Sequence, residues 1–254
     1  MKNFLRLVLP ASLLRRRRIR RFGRFTVLKW ETDGLLPEAT YAHLHASFRD
    51  APDNDIVEVG GASGAASIAV ALALKETRKQ GRLIVVEKFE GGTRDAFGGH
   101  RENLARFWSF LKLYGVADYI RLWDGFLTEE NSGEVRRLVK TPELAGLILD
   151  ADGRIHRDLQ AFWDLITPDT LIYIDDVHPT LATKHALTHR LVTHLIEAQL
   201  VKKTDAAENT WIMRRTCPAG TPFPYAKCQE IFETFCRENH VAFEKAGIVD
   251  TSKG

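Results

Sequence analysis

The sequence predicts an α/β domain: a doubly wound, mostly parallel sheet with helices on both faces and a C-terminal antiparallel hairpin at one edge. Three observations lead there. Short β-branched runs alternate five times with longer helical patterns, the rhythm of repeated strand-helix-strand units. A glycine-rich turn falls directly between the first strand and the first helix that follows it. Late in the chain two strand-like runs are joined only by a short polar link, which suits a hairpin and is too short for a parallel crossover. With 254 residues, 44% of them hydrophobic, the chain can bury a core of this size.

Taken in order, "LPEATYAHLHASFRD" (36–50) reads as a helix preceding the first strand, "DIVEV" (55–59). A helix near 65–79 leads to "RLIVVE" (82–87), and one near 97–113 leads to "YIRLWD" (119–124). Helical patterns near 130–139 and 156–166 precede "LAGLILD" (144–150) and "TLIYID" (170–175). After a helix near 180–197 come "AQLVKKT" and "NTWIMRR", linked by "DAAE", and residues 222–246 read as a terminal helix with its loop. These make seven strands. They define one domain over 31–254, with a core at 55–215 and a helical extension at 216–254.

Charge separates the first 30 residues from that body. They hold ten Lys and Arg, including Arg15 to Arg18, and no acid, which leaves residues 31–254 at about −7 of the overall +3. An acidic body argues against a broad nucleic-acid face. The arm's apolar stretch is too short, and too broken by Pro10, to span a bilayer. Its arginines follow the apolar part, opposite to a secretory signal. Two readings stand: a frayed basic tail, or a peripheral contact with anionic membrane at the inner face. Cys217, Cys228 and Cys236 match no zinc or disulfide spacing, so a cytoplasmic setting is expected. The sequence leaves an oligomer open.

The turn "VGGASGAAS" places backbone N–H groups and a helix N-terminus where a nucleotide-like ligand meets such a sheet. It is no dinucleotide fingerprint, because Ala62 and Ala65 stand where glycines are needed, and no Gly-Lys-Ser/Thr follows for a P-loop. What remains is E-x-G-x-x-x-G-x-x-S, carried by Glu58, Gly60, Gly64 and Ser67. Glu87 ends the second strand, where an acid can accept both ribose hydroxyls, and Asp124 ends the third, where an adenine edge would lie.

In these features the chain resembles the class I S-adenosylmethionine (SAM)-dependent methyltransferases, over roughly residues 55–215. The resemblance implies a Rossmann-like seven-stranded sheet and SAM as cofactor. It assigns Gly60 and Gly64 to the methionine part, Glu87 to the ribose and Asp124 to the adenine, with Glu58 steadying the loop.

"LILDADGRIHRDL" (147–159) and "LIYIDDVHP" (171–179) then end two strands in acids. Asp150, Asp152, Asp175 and Asp176 converge on the ligand crevice, where shared repulsion calls for a cation. Oxygen ligands without cysteine favour Mg2+ or a similar hard divalent ion. "LDAD" and "IDDV" resemble the matching stretches of the metal-dependent O-methyltransferases, the catechol and caffeoyl-CoA enzymes. The macrocin-type sugar O-methyltransferases are more similar still, through the Asp-Asp pair and "VVEKFEGG". The resemblance implies Asp150, Asp175 and Asp176 as metal ligands and a hydroxyl of a small molecule or sugar as acceptor.

Catechol-type enzymes carry a lysine base shortly after the first aspartate, and here Gly153, Arg154, Ile155 and His156 follow instead. His156 is the candidate base, with an imidazole pKa suited to neutral pH, and Asp150 or His178 the alternatives. His185 and His189 have zinc spacing but no third ligand, and read as a solvated or substrate-side helix face. Two other functions stay open: transfer to RNA or protein using the basic arm, and cofactor binding without catalysis.

Overall fold

Alternate residues of the central strands enter two different cores, and this divides the molecule into layers. The computed structural model describes residues 22–90, 98–181, 183–240, 242–244 and 247–249. In β1 (Asp55–Val59) and β2 (Leu83–Glu87), Ile56, Leu83 and Val85 face one core while Val57, Val59, Ile84 and Val86 face the other. The first core also takes in Phe25 and Leu28 of α1 (Arg24–Glu31), Tyr41, Leu44 and Phe48 of α2 (Glu38–Asp50), Ile68 of α3 (Ala65–Thr77) and Phe107 of α4 (His100–Leu113). The second takes in Val135 of α5 (Ser132–Arg136), Leu159 of α6 (Ile155–Phe162), Leu191 of α7 (Thr183–Glu197) and Phe232 of α8 (Tyr225–Glu238).

The sheet holds seven strands in the order β3-β2-β1-β4-β5-β7-β6. Here β3 is Ile120–Asp124, β4 Leu144–Leu149, β5 Leu171–Ile174, β6 Val201–Ala207 and β7 Thr210–Arg215. Strands β1 to β5 run parallel, and β7 is antiparallel to both β5 and β6. The predicted doubly wound sheet with its edge hairpin is therefore present. Lys202, Lys203 and Asp205 lie exposed along the edge strand β6, where charge discourages pairing with another chain. Chain order reverses between β1 and β4, so the helices depart to opposite faces and leave a crevice at the carboxyl ends of these strands.

Differences from the sequence reading have local causes. The β6–β7 turn needs only Glu208 and Asn209, with Glu208 left-handed, so "DAA" belongs to the strand. The terminal helix stops at Glu238, where the Asn239 side-chain amide donates back to the Phe235 carbonyl, and a small hairpin, β8 (Ala242–Glu244) and β9 (Gly247–Val249), follows. Helix α1 begins at Arg24 inside the stretch read as the arm, and it buries Phe25 and Leu28 against the body. The rest of the arm, with the expected anionic contact, lies outside the described residues. Among those described, no helix is long and apolar enough to cross a membrane, and the three cysteines are buried free thiols.

Gly146 of β4 shows how tightly α2 packs on the sheet, because a Cβ there would run into the Phe48 ring. We expect Gly146→Ala to lower stability by about 1–3 kcal/mol through overpacking. Urea denaturation should show an earlier midpoint with an unchanged slope.

Candidate active site at the carboxyl edge of the sheet

The sheet ladder continues one residue past the strands, and this sets the site. Gly60 N–H donates to the Val86 carbonyl at 2.9 Å, Asp150 N–H to Val59 at 2.9 Å, Asp175 N–H to Leu149 at 3.0 Å and Gly125 N–H to Glu87 at 3.0 Å. Residues that look like loop ends in the sequence are thus held in register. Asp150 stands between Gly60 and Asp175, and Asp124 lies opposite Glu87.

Two glycines of the first loop are required by space as well as by conformation. Gly60 has φ 99° and lies so close to the Asp150 carbonyl that a Cβ would collide with it. Gly64 has φ 90°, caps α3, and would bring a Cβ to 2.9 Å from the Phe107 ring. Glu58 falls on the α3 side of β1, where its carboxyl accepts the Ser67 hydroxyl. Burial, with a contribution from Glu87, pushes the Glu58 carboxyl up to about 8 against the opposing Ser67 bond. Glu87 accepts the N–H groups of Ala62 at 2.7 Å and Phe89 at 2.9 Å. Both donors are left-handed non-glycine residues, with φ 44° and 57°, so one carboxylate holds the loops after β1 and β2 in shape. One strand further, Asp124 pairs with His100 Nε2 at 2.7 Å, and that bond raises the His100 pKa.

Asp150, Asp175 and Asp176 form the second half of the site. Each offers an oxygen, and these lie within 4.8 Å of one another. Withdrawal from water drives the Asp150 carboxyl well above its ordinary range. Lys184 opposes this, and the neighbouring carboxylates of Asp175, Asp176 and Glu58 add to it. Asp175 is raised by burial too, while the Thr210 hydroxyl donates to it. Asp176 adopts φ 58°, a left-handed conformation that aspartate tolerates better than most residues.

His156, the candidate base, is brought elsewhere. It starts α6 on the face turned to α8, between the rings of Tyr225 and Phe232 at 5.5 and 5.2 Å, with Nε2 2.8 Å from Gln229 Oε1. Burial, with Arg157 and Arg154 adding to it, lowers its pKa to about 4. The ion pairs near Asp152 are made by Arg157, 3.0 Å from Asp152 and 2.7 Å from Asp158.

Four further residues reach the site. From α7, Lys184 Nζ lies 2.6 Å from Asp176 and 3.7 Å from Asp150, and His185 Nε2 lies 2.9 Å from the other Asp176 oxygen. Thr210 arrives on β7. Tyr41 comes from α2, and its hydroxyl accepts the Leu36 N–H at 3.0 Å. Burial raises the Tyr41 pKa, and Asp150, Glu58 and Asp175 add to the effect. Of these only His185 carried a sequence signal, since with His189 it reads as a solvated or substrate-side helix face, and its Nε2 meets Asp176.

No family model matches the chain, nor does any curated protein sequence. Its fold is that of the SAM-dependent class I methyltransferases, as solved structures show. The O-methyltransferase TomG from Streptomyces achromogenes, in complex with SAM, matches with a TM-score of 0.54 at 18% identity, covering 78% of this chain and 89% of TomG. The SAH-bound Podospora anserina methyltransferase PaMTH1 gives 0.55 at 14% identity, covering 82% and 89%. An O-methyltransferase from Bacillus cereus, in complex with SAH, gives 0.54 at 13% identity, covering 85% and 96%.

The buried Glu58 carboxyl makes stability depend on pH. Unfolded, it ionises near 4.5, whereas in the fold it keeps its proton to about pH 8. The unfolded state therefore sheds the proton first. The contribution of this one group is complete below pH 4.5 and is lost as pH rises towards 8, by at most about 1.4 kcal/mol per pH unit. We expect Glu58→Gln to flatten this fall, checked by urea unfolding at pH 5, 6.5 and 8.

Proposed function

We propose that this chain is a SAM-dependent O-methyltransferase that transfers a methyl group to a hydroxyl of a small molecule or sugar, assisted by a divalent ion. The observation that supports it most directly is the placement of the three-carboxylate cluster beside the glycine loop, with Gly60 against the Asp150 backbone. The fold shared with O-methyltransferases that bind SAM or SAH supports it as well.

In this reading Gly60 and Gly64 let the loop approach the methionine part of SAM, and Ser67 fixes Glu58 behind it. Glu87, at the end of β2, takes the ribose hydroxyls, while Asp124, steadied by His100, meets the adenine edge. SAM supplies a methyl group on a sulfonium, open to in-line displacement. The donor set of Asp150, Asp175 and Asp176, all oxygen, fits a hard ion such as Mg2+. That ion, when bound, lowers the pKa of the acceptor hydroxyl and fixes its position. Asp150 stands between the cofactor loop and the other two acids, the place from which a carboxylate reaches the acceptor proton. His156, held between two rings of α8, has a packing role instead.

Titration calorimetry should show SAM binding that survives Asp175→Asn with Asp176→Asn. The same double variant, or EDTA, should lower transfer to diol-containing sugars by about a hundredfold or more, read by mass with labelled cofactor. Unchanged transfer would remove the metal, and absent SAM binding would remove the enzyme class.

A further inference from the structure

The three-carboxylate cluster has a cationic side chain seated in it. Lys184 Nζ lies 2.6 Å from one Asp176 oxygen and 3.7 Å from one Asp150 oxygen, so it reaches two of the three carboxylates that the proposed function gives to a divalent ion. His185 takes the other Asp176 oxygen, and Thr210 donates to Asp175. The chain itself therefore compensates part of the cluster's charge. An ammonium and a divalent ion compete for this place, because they repel each other and both draw on the Asp150 and Asp176 carboxylates.

We propose that Lys184 is a tethered counter-ion that occupies the cation site and is displaced when a divalent ion binds. The inference rests on the metal reading above and adds that metal and lysine exclude each other. The residue type suits the task. A lysine is a point charge on a flexible four-carbon stem, whereas a planar guanidinium would be held by its fork of donors. Its position suits it too, since Lys184 is in the first turn of α7 with a side chain that is 29% exposed, leaving a route outward to water. Asp176 would keep His185 on its second oxygen during the exchange. One consequence is that part of the acids' charge stays compensated between metal-binding events. The other is that the site binds divalent ions more weakly, and releases them more readily, than three uncompensated carboxylates would.

The test uses the full chain and Mn2+ as the probe, with binding followed by electron paramagnetic resonance or calorimetry. Lys184→Met should bind Mn2+ tighter than the unaltered protein by about tenfold or more, the scale of one charge-assisted hydrogen bond, while Lys184→Arg stays at or below the original affinity. A second measurement needs no variant. Acylation of Lys184 by acetic anhydride, quantified by mass spectrometry, should rise when Mn2+ is added while surface lysines such as Lys202 react unchanged. Equal or weaker Mn2+ binding by Lys184→Met, or acylation indifferent to saturating Mn2+, overturns the exclusion and leaves the metal reading standing. If neither protein binds Mn2+ at millimolar concentration, both fall together.

Discussion

Carboxylates gathered at one edge of a sheet repel one another, and taking them out of water makes each ionised form costlier still. Glu58, Glu87, Asp150, Asp175 and Asp176 lie in or just past the carboxyl ends of β1, β2, β4 and β5, and each has a named partner there. Glu58 has the Ser67 hydroxyl, Glu87 the amides of Ala62 and Phe89, and Asp175 the Thr210 hydroxyl. Asp150 and Asp176 share Lys184, and Asp176 also has His185. The shape of the site follows from these pairings. Glu87, by accepting two amides, ties the left-handed Ala62 and Phe89 to one carboxylate.

The sheet supplies the precision. Because backbone hydrogen bonds run one residue past β1, β4 and β5, the acids stand in register with the glycine loop instead of on free loops. The touching backbones of Gly60 and Asp150 then join the proposed cofactor half to the proposed metal half. Helix α2 and the segment before it close the remaining side, with Gly34 packed between Tyr41 and Ala65 at the start of α3. A methyl donor on the loop and a hydroxyl on the acids would meet across this contact, the near-attack arrangement a single displacement needs.

Sequence patterning carried most of the architecture, because β1, β2, β4 and β5 are buried along their whole length and read as short, largely apolar runs. It failed where the chain departs from periodicity. The β8–β9 hairpin follows an amphipathic helix without a break that composition marks, and α1 begins among arginines that look like a tail. Within the site, the glycines and strand-end acids were readable because chain order alone puts them at the carboxyl edge. His156 misled because its nearness to Asp150 in sequence says nothing about helix phase. The first turn of α6 turns it onto α8, into a pocket of rings that favours the neutral imidazole.

By itself, the sequence determined the order of strands and helices, the glycine turn, and the set of acids that would end on one edge. All of these depend on local periodicity and on the handedness of strand-helix-strand units, which short stretches of chain encode. Only the tertiary structure decided which groups answer those acids: a lysine and a histidine from α7 and a threonine from β7. Electrostatic pairing depends on distances of a few ångströms between elements far apart in the chain, and no spacing in the sequence records those distances.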